Sequence, residues 1–166
     1  METRPLDSAR DWAFFDADER PSAEDAVTIR PLTEPAARAV WARLISGDAS
    51  ERHPMLLGPD RWLRPATCAA PNWVDVWNAP RTEPDPITAF LTELLQWPPS
   101  MPILFFWMRE RVVSVPWAVF LRTWRLFLFD DEAPFFLSLE APQVVTFYPR
   151  GRLGLCARPG HRPPGL

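Results

Sequence analysis

Residues 116–134, PWAVFLRTWRLFLFDDEAP, couple a densely aromatic segment to a run of three acids, and the packing of that segment decides the fold. At 100° per residue from Trp117, Phe120, Leu121, Trp124, Phe127 and Leu128 share one broad face, the spacing of a helix that packs on a core. Val119, Leu126 and Phe129 lie off that face, and only Arg122, Thr123 and Arg125 interrupt the remainder. A single core contact would leave large apolar groups in water. The helix predicted over 117–129 is therefore either covered on two sides or keeps its second side for a partner.

Strand signals surround this segment. Ile103 to Met108 and Val112 to Val115 are apolar runs joined by Arg109, Glu110 and Arg111, which suggests an antiparallel pair, with continuous helix as the alternative. Pro134 leads into a third run, Phe135 to Leu139. Val144 to Tyr148 is linked to Leu153 to Cys156 through Pro149, Arg150 and Gly151, the residue types of a hairpin turn. Upstream, Thr33 is placed to cap a helix over 33–46, in which Ala37, Val40, Trp41 and Leu44 repeat on one face before Gly47. Asp85 and Pro86 open another over 86–97, with Ile87, Phe90, Leu91 and Leu94 on one side and Pro98 after its end. The pattern predicts a single α+β domain over 1–158, short antiparallel strands packed on about three helices, and a disordered tail over 159–166.

Two segments resist this scheme. Trp12 to Phe15 is a short strand or an attachment to the core. Residues 48–84 carry six prolines with one short helix signal near Asn72 to Trp77. A connection of that length is usually functional unless it holds small elements of its own. Trp62, Trp73 and Trp77 within it either pin the chain to the core or face a ligand, and Asp75 lies between two of them.

The chain has 166 residues, enough to bury a core without disulfides or metals, and nine Trp with eleven Phe to fill it. Its 18 basic residues are all Arg, as in a GC-rich bacterial genome. A net charge of −3 argues against a general nucleic-acid binder. Residues 1–25 hold eight acids against three Arg, whereas 141–166 hold four Arg and no acid, which reads as two solvated ends. Cys68 and Cys156 make neither a C-x-x-C pair nor a disulfide framework. METRPLDSARD lacks the pattern of a secretory signal, and no apolar run is long enough to span a bilayer, so a cytoplasmic protein is expected.

With two histidines, His53 and His161, a catalytic triad or a zinc site of usual type lacks parts, and no phosphate-binding glycine loop is present. No cofactor is expected. The carboxylates Asp130, Asp131 and Glu132 stand at the helix end where the dipole disfavours negative charge. They form a solvated turn neutralised by Arg122 or Arg125, an acidic patch for a cationic partner, or the ligands and proton carriers of a small enzyme.

Three stretches carry a resemblance: WAVFLRTWRLFLFDDEAPFFL at 117–137, PQVVTFYPRGRLGL at 142–155 and DWAFFDADERPSAEDAVTIRPLTEPAARAVW at 11–41. In them the chain resembles a small family of uncharacterised bacterial proteins, a domain of unknown function with no established activity. In size, aromatic content and lack of cofactor it is also similar to immunity proteins that neutralise bacterial toxins. The expected function is non-enzymatic binding of another protein, a toxin among the candidates. The contacts expected are Asp130, Asp131, Glu132, Trp62, Trp73, Asp75 and Trp77.

Overall fold

The computed structural model describes residues 1–16, 19–129 and 132–160. Seven strands form one sheet: β1 (Arg30–Pro31), β2 (Ala66–Thr67), β3 (Pro102–Met108), β4 (Arg111–Pro116), β5 (Phe135–Leu137), β6 (Gln143–Phe147) and β7 (Leu153–Ala157). They lie in the order β1-β4-β3-β5-β6-β7-β2, and every neighbouring pair is antiparallel. Around the sheet are α1 (Ala23–Ala26), α2 (Glu34–Leu44), α3 (Trp73–Asn78), α4 (Pro86–Leu95) and α5 (Trp117–Thr123). The α+β class is as expected from the sequence.

Both faces of the sheet are covered, which explains why PILFFWM is apolar throughout rather than alternating. Ile103, Phe105 and Trp107 point into a core shared with Trp73 of α3, Ile87 and Leu91 of α4, and Phe120 of α5. Leu104 and Phe106 enter a second core with Ala37, Val40 and Trp41 of α2. Phe106 stacks on Phe135 of β5 at 4.7 Å. The β3–β4 connection is the hairpin, not continuous helix, and a register shift between Phe106 and Met108 accompanies its tight turn.

The β6–β7 hairpin turns through Arg150 and Gly151, both at positive φ, and positions α3. A side chain on Gly151 would strike Asn72, whose Oδ1 accepts the N–H groups of Val74 and Asp75 and whose Nδ2 donates to the Arg150 carbonyl. Asn72 therefore caps α3 and clamps it to the hairpin.

Two local expectations are corrected and a third is narrowed. Thr33 occupies the cap position of α2, but its hydroxyl bonds the Glu2 carboxylate at 3.1 Å instead of a helix N–H. Of the two readings of Trp12–Phe15, attachment to the core holds and the strand does not: the segment is a 3-10 turn with Ala13 and Phe14 buried. The aromatic helix stops at Thr123 (φ −124°) and continues as a tighter 3-10 turn over Trp124–Phe127. The Thr123 hydroxyl donates to the Val119 carbonyl at 2.7 Å, a back-bond that competes with helix continuation. The carbonyls of Arg125 and Phe127 accept indole N–H groups from Trp77 (3.1 Å) and Trp107 (2.8 Å), so the segment ends satisfied without further helical turns. Val119 and Leu126 both lie in the core with Phe120 and Phe127, and Leu121 is only partly buried. The second side of the segment is thus covered largely by the protein itself.

The 48–84 connection does contain small elements: a 3-10 turn at Pro54–Leu56, β2 and α3. Its first part is organised by the buried Glu51 carboxylate, which accepts from the Ser46 hydroxyl, the Gly58 N–H (2.7 Å) and the Arg61 Nε–H (2.6 Å). These donors, the Ser46 hydroxyl foremost, hold the Glu51 pKa below its ordinary value. A carboxylate with a depressed folded pKa contributes stability above its unfolded pKa and loses it as pH falls through the folded value. The melting-temperature gap between the wild-type protein and Glu51→Gln should therefore be widest near neutrality and close under acid. A gap independent of pH would show that the ionised carboxylate does not hold this loop.

Candidate functional site

Three segments meet where the aromatic segment ends. Phe14, at the centre of the amino-terminal 3-10 turn, packs edge-on against Phe127 at 4.9 Å. Trp77, at the last turn of α3, is tied to Arg125 by its indole N–H. With Phe14 buried, its neighbour Trp12 turns outward and meets Phe129 at 5.2 Å. The result is a cleft of about 420 Å³, to which Trp12, Trp77 and Phe129 supply the aromatic lining and Asp16 and Glu19 the acids. Trp12 is 54% exposed and Trp77 42%, a large aromatic surface facing solvent.

Arginines frame this cleft. Arg111 holds its guanidinium 4.8 Å from the Phe129 ring centre and 5.1 Å from that of Trp107. Arg125 is only 7% exposed and directs Nη2 to the Val76 carbonyl at 2.9 Å and to Asp85 at 3.4 Å. Its Nε has no hydrogen-bond partner among the described residues. Glu19 pairs with Arg81 across the entrance of the connection.

The family of proteins of unknown function DUF2947 matches residues 4–155, nearly the whole chain and every described residue that lines this cleft. The chain belongs to that family. No curated protein and no solved structure matches it. The resemblance to a domain of unknown function read from 11–41, 117–137 and 142–155 is thus borne out.

The structure separates the residues expected to make contacts. Trp73 is 3% exposed, packs against Phe147 and donates to the Tyr148 carbonyl at 2.9 Å, so it is a core residue and not a surface contact. Trp62 is half-buried, donates to the Leu44 carbonyl at 2.9 Å, and lines a different and broader hollow with Arg43 and Arg158. There, burial and the neighbouring Arg43 lower the Arg158 pKa. Pro159 and Gly160 also line that hollow, and the rest of the 159–166 tail lies outside the described residues. Asp75 is exposed on the first turn of α3, its own N–H held by Asn72. Glu132 is exposed, with Oε2 3.4 Å from His53 Nε2. Asp130 and Asp131 lie outside the described residues.

Among the described residues, only Trp77 of the expected set lines the aromatic cleft. Trp12 and Phe129 were not foreseen there, although the alternation of buried Phe14 with outward Trp12 has a trace in the compact cluster WAFF. Among the described residues, no group of three or more His, Cys, Asp or Glu is arranged to hold a metal ion, and no helix is long and apolar enough to cross a membrane.

Proposed function

We propose that this protein acts by direct, non-enzymatic contact with another protein, through the cleft of Trp12, Trp77 and Phe129 and the acids beside it. The observation that carries this reading is the pair of exposed tryptophans at one cleft, of which Phe129 is followed in sequence by Asp130, Asp131 and Glu132. Rigid aromatic groups that remain in water on a folded surface are the usual anchors of protein interfaces, and adjacent charge steers encounter. Neutralising a toxin by covering it, as an immunity protein does, is the form of binding we favour. A bacterial cytoplasm suits an all-arginine basic set, and two free, half-buried cysteines suit its reducing environment.

The test begins with the partner that co-purifies from the native host and measures its association with two variants. Trp12→Ala with Trp77→Ala should weaken binding at least about tenfold, mainly through faster dissociation. Asp130→Arg with Asp131→Arg should slow association, by an amount that shrinks as salt rises. Unchanged kinetics in both variants, each still folded, would overturn this reading.

A further inference from the structure

We infer that a second cavity, apart from the aromatic cleft, binds a short aliphatic carboxylate that bears a hydroxyl at the far end of its chain. The cavity measures about 320 Å³, at the lower end of ordinary small-molecule sites. Residues of the 48–84 connection and of β6 line it, on the face of the sheet that carries the second core. Strand alternation puts Thr146 on that face, since Val145 and Phe147 belong to the first core and Val144 to the second. Among the described residues, none lines both this cavity and the aromatic cleft.

Two polar groups of this cavity lack what each of them needs. Thr146 is 4% exposed, and its hydroxyl has no hydrogen-bond partner among the described residues. A buried hydroxyl left so is uncommon in a folded protein, and on a cavity wall it calls for a polar atom from a ligand. Arg64 is exposed at the mouth, and among the described residues it is the one charged group that lines the cavity. Its Nε and Nη2 address the Pro59 and Gly58 carbonyls, which orient the guanidinium without neutralising it. Glu132, next to the lining residue Ala133, turns its carboxylate to His53. The Tyr148 hydroxyl is already used, since it donates to the Pro65 carbonyl at 2.9 Å. Pro54, Leu57, Leu63 and Pro65 supply an apolar wall. An anion with an aliphatic chain and a hydroxyl meets all of these conditions. Its carboxylate accepts from the guanidinium, its chain lies on the apolar wall, and its hydroxyl pairs with that of Thr146 as donor or acceptor.

The experiment titrates the full protein with ω-hydroxy carboxylates of about four to eight carbons and follows the backbone amide signals of Ala133, Thr146 and Tyr148 by NMR. Plain carboxylates and α,ω-diols of the same lengths are the controls. At one length the hydroxy acid should bind at least about fivefold more tightly than either control. Thr146→Val keeps the shape and removes the hydroxyl, so it should abolish the preference over the plain acid. Its melting temperature should be no lower than that of the wild type, because a hydrogen bond that is not made cannot be lost. Arg64→Gln should weaken the binding of both acids and leave that of the diol unchanged. No shift of these amides with any acid, or equal affinity for hydroxy and plain acids, would overturn the inference. So would a Thr146→Val protein that melts well below the wild type, since the hydroxyl would then be bonded inside the fold.

Discussion

Replacing Trp124 with alanine is expected to destabilise the protein by about 3–5 kcal/mol, a large part of the stability of a domain this size. Trp124 is 2% exposed and belongs to the core that joins α4, α5 and β3. Its loss leaves a void between elements that are already held apart by other aromatic rings. Phe120 and Phe127 pack on Phe105 at 5.7 and 5.1 Å, so they are not free to collapse into the space. The indole N–H also donates to Asp85 Oδ1 at 3.2 Å, which ties the tight turn to the cap of α4. Urea unfolding should show a lower midpoint with an unchanged slope, the sign of lost stability rather than of an altered unfolded chain. A midpoint close to wild type would mean that the 124–127 turn does not pack on this core.

The burial of Trp124 was legible because helical and 3-10 spacing both return its neighbours Phe120 and Phe127 to the same side. The break at Thr123 was not. It depends on indole donors from Trp77 and Trp107, distant in sequence, which take carbonyls that a longer helix would have used. The β6–β7 hairpin was legible from local chemistry, because Gly151 supplies the positive φ that the turn requires. Its clamp on Asn72 was hidden by the same rule: the contact spans 78 residues and leaves no periodic trace. The candidate site was the least legible part. Trp73 and Trp77 are four residues apart on one short helix, yet the first is buried by the hairpin and the second stands at the cleft. Composition cannot separate such a pair, since the distinction is made by which neighbours reach each ring. Trp12 was similarly ambiguous until Phe14 was seen to occupy the core position beside Phe127.

Asp85→Ala should be the most damaging single change at a polar side chain, costing about 3 kcal/mol, because one carboxylate performs three tasks. Its Oδ1 caps α4 by accepting the N–H groups of Ile87 and Thr88, each at 3.0 Å, and also receives the Trp124 indole. Loss of such a cap alone costs about 1 kcal/mol. Its Oδ2 faces Arg125 at 3.4 Å, and a guanidinium only 7% exposed would be left without that counter-charge. The longer the pair, the smaller its own attraction, but the cost of an isolated buried charge does not fall with it. Asp85→Asn keeps an acceptor for the cap and should lie between the wild type and Asp85→Ala in urea. Adding Arg125→Met to Asp85→Ala removes the stranded charge while keeping an apolar stem of similar reach. The double variant should recover part of the loss, giving a coupling energy between the two positions of about 1 kcal/mol or more. Equal losses in the single and double variants would assign the whole effect to the cap.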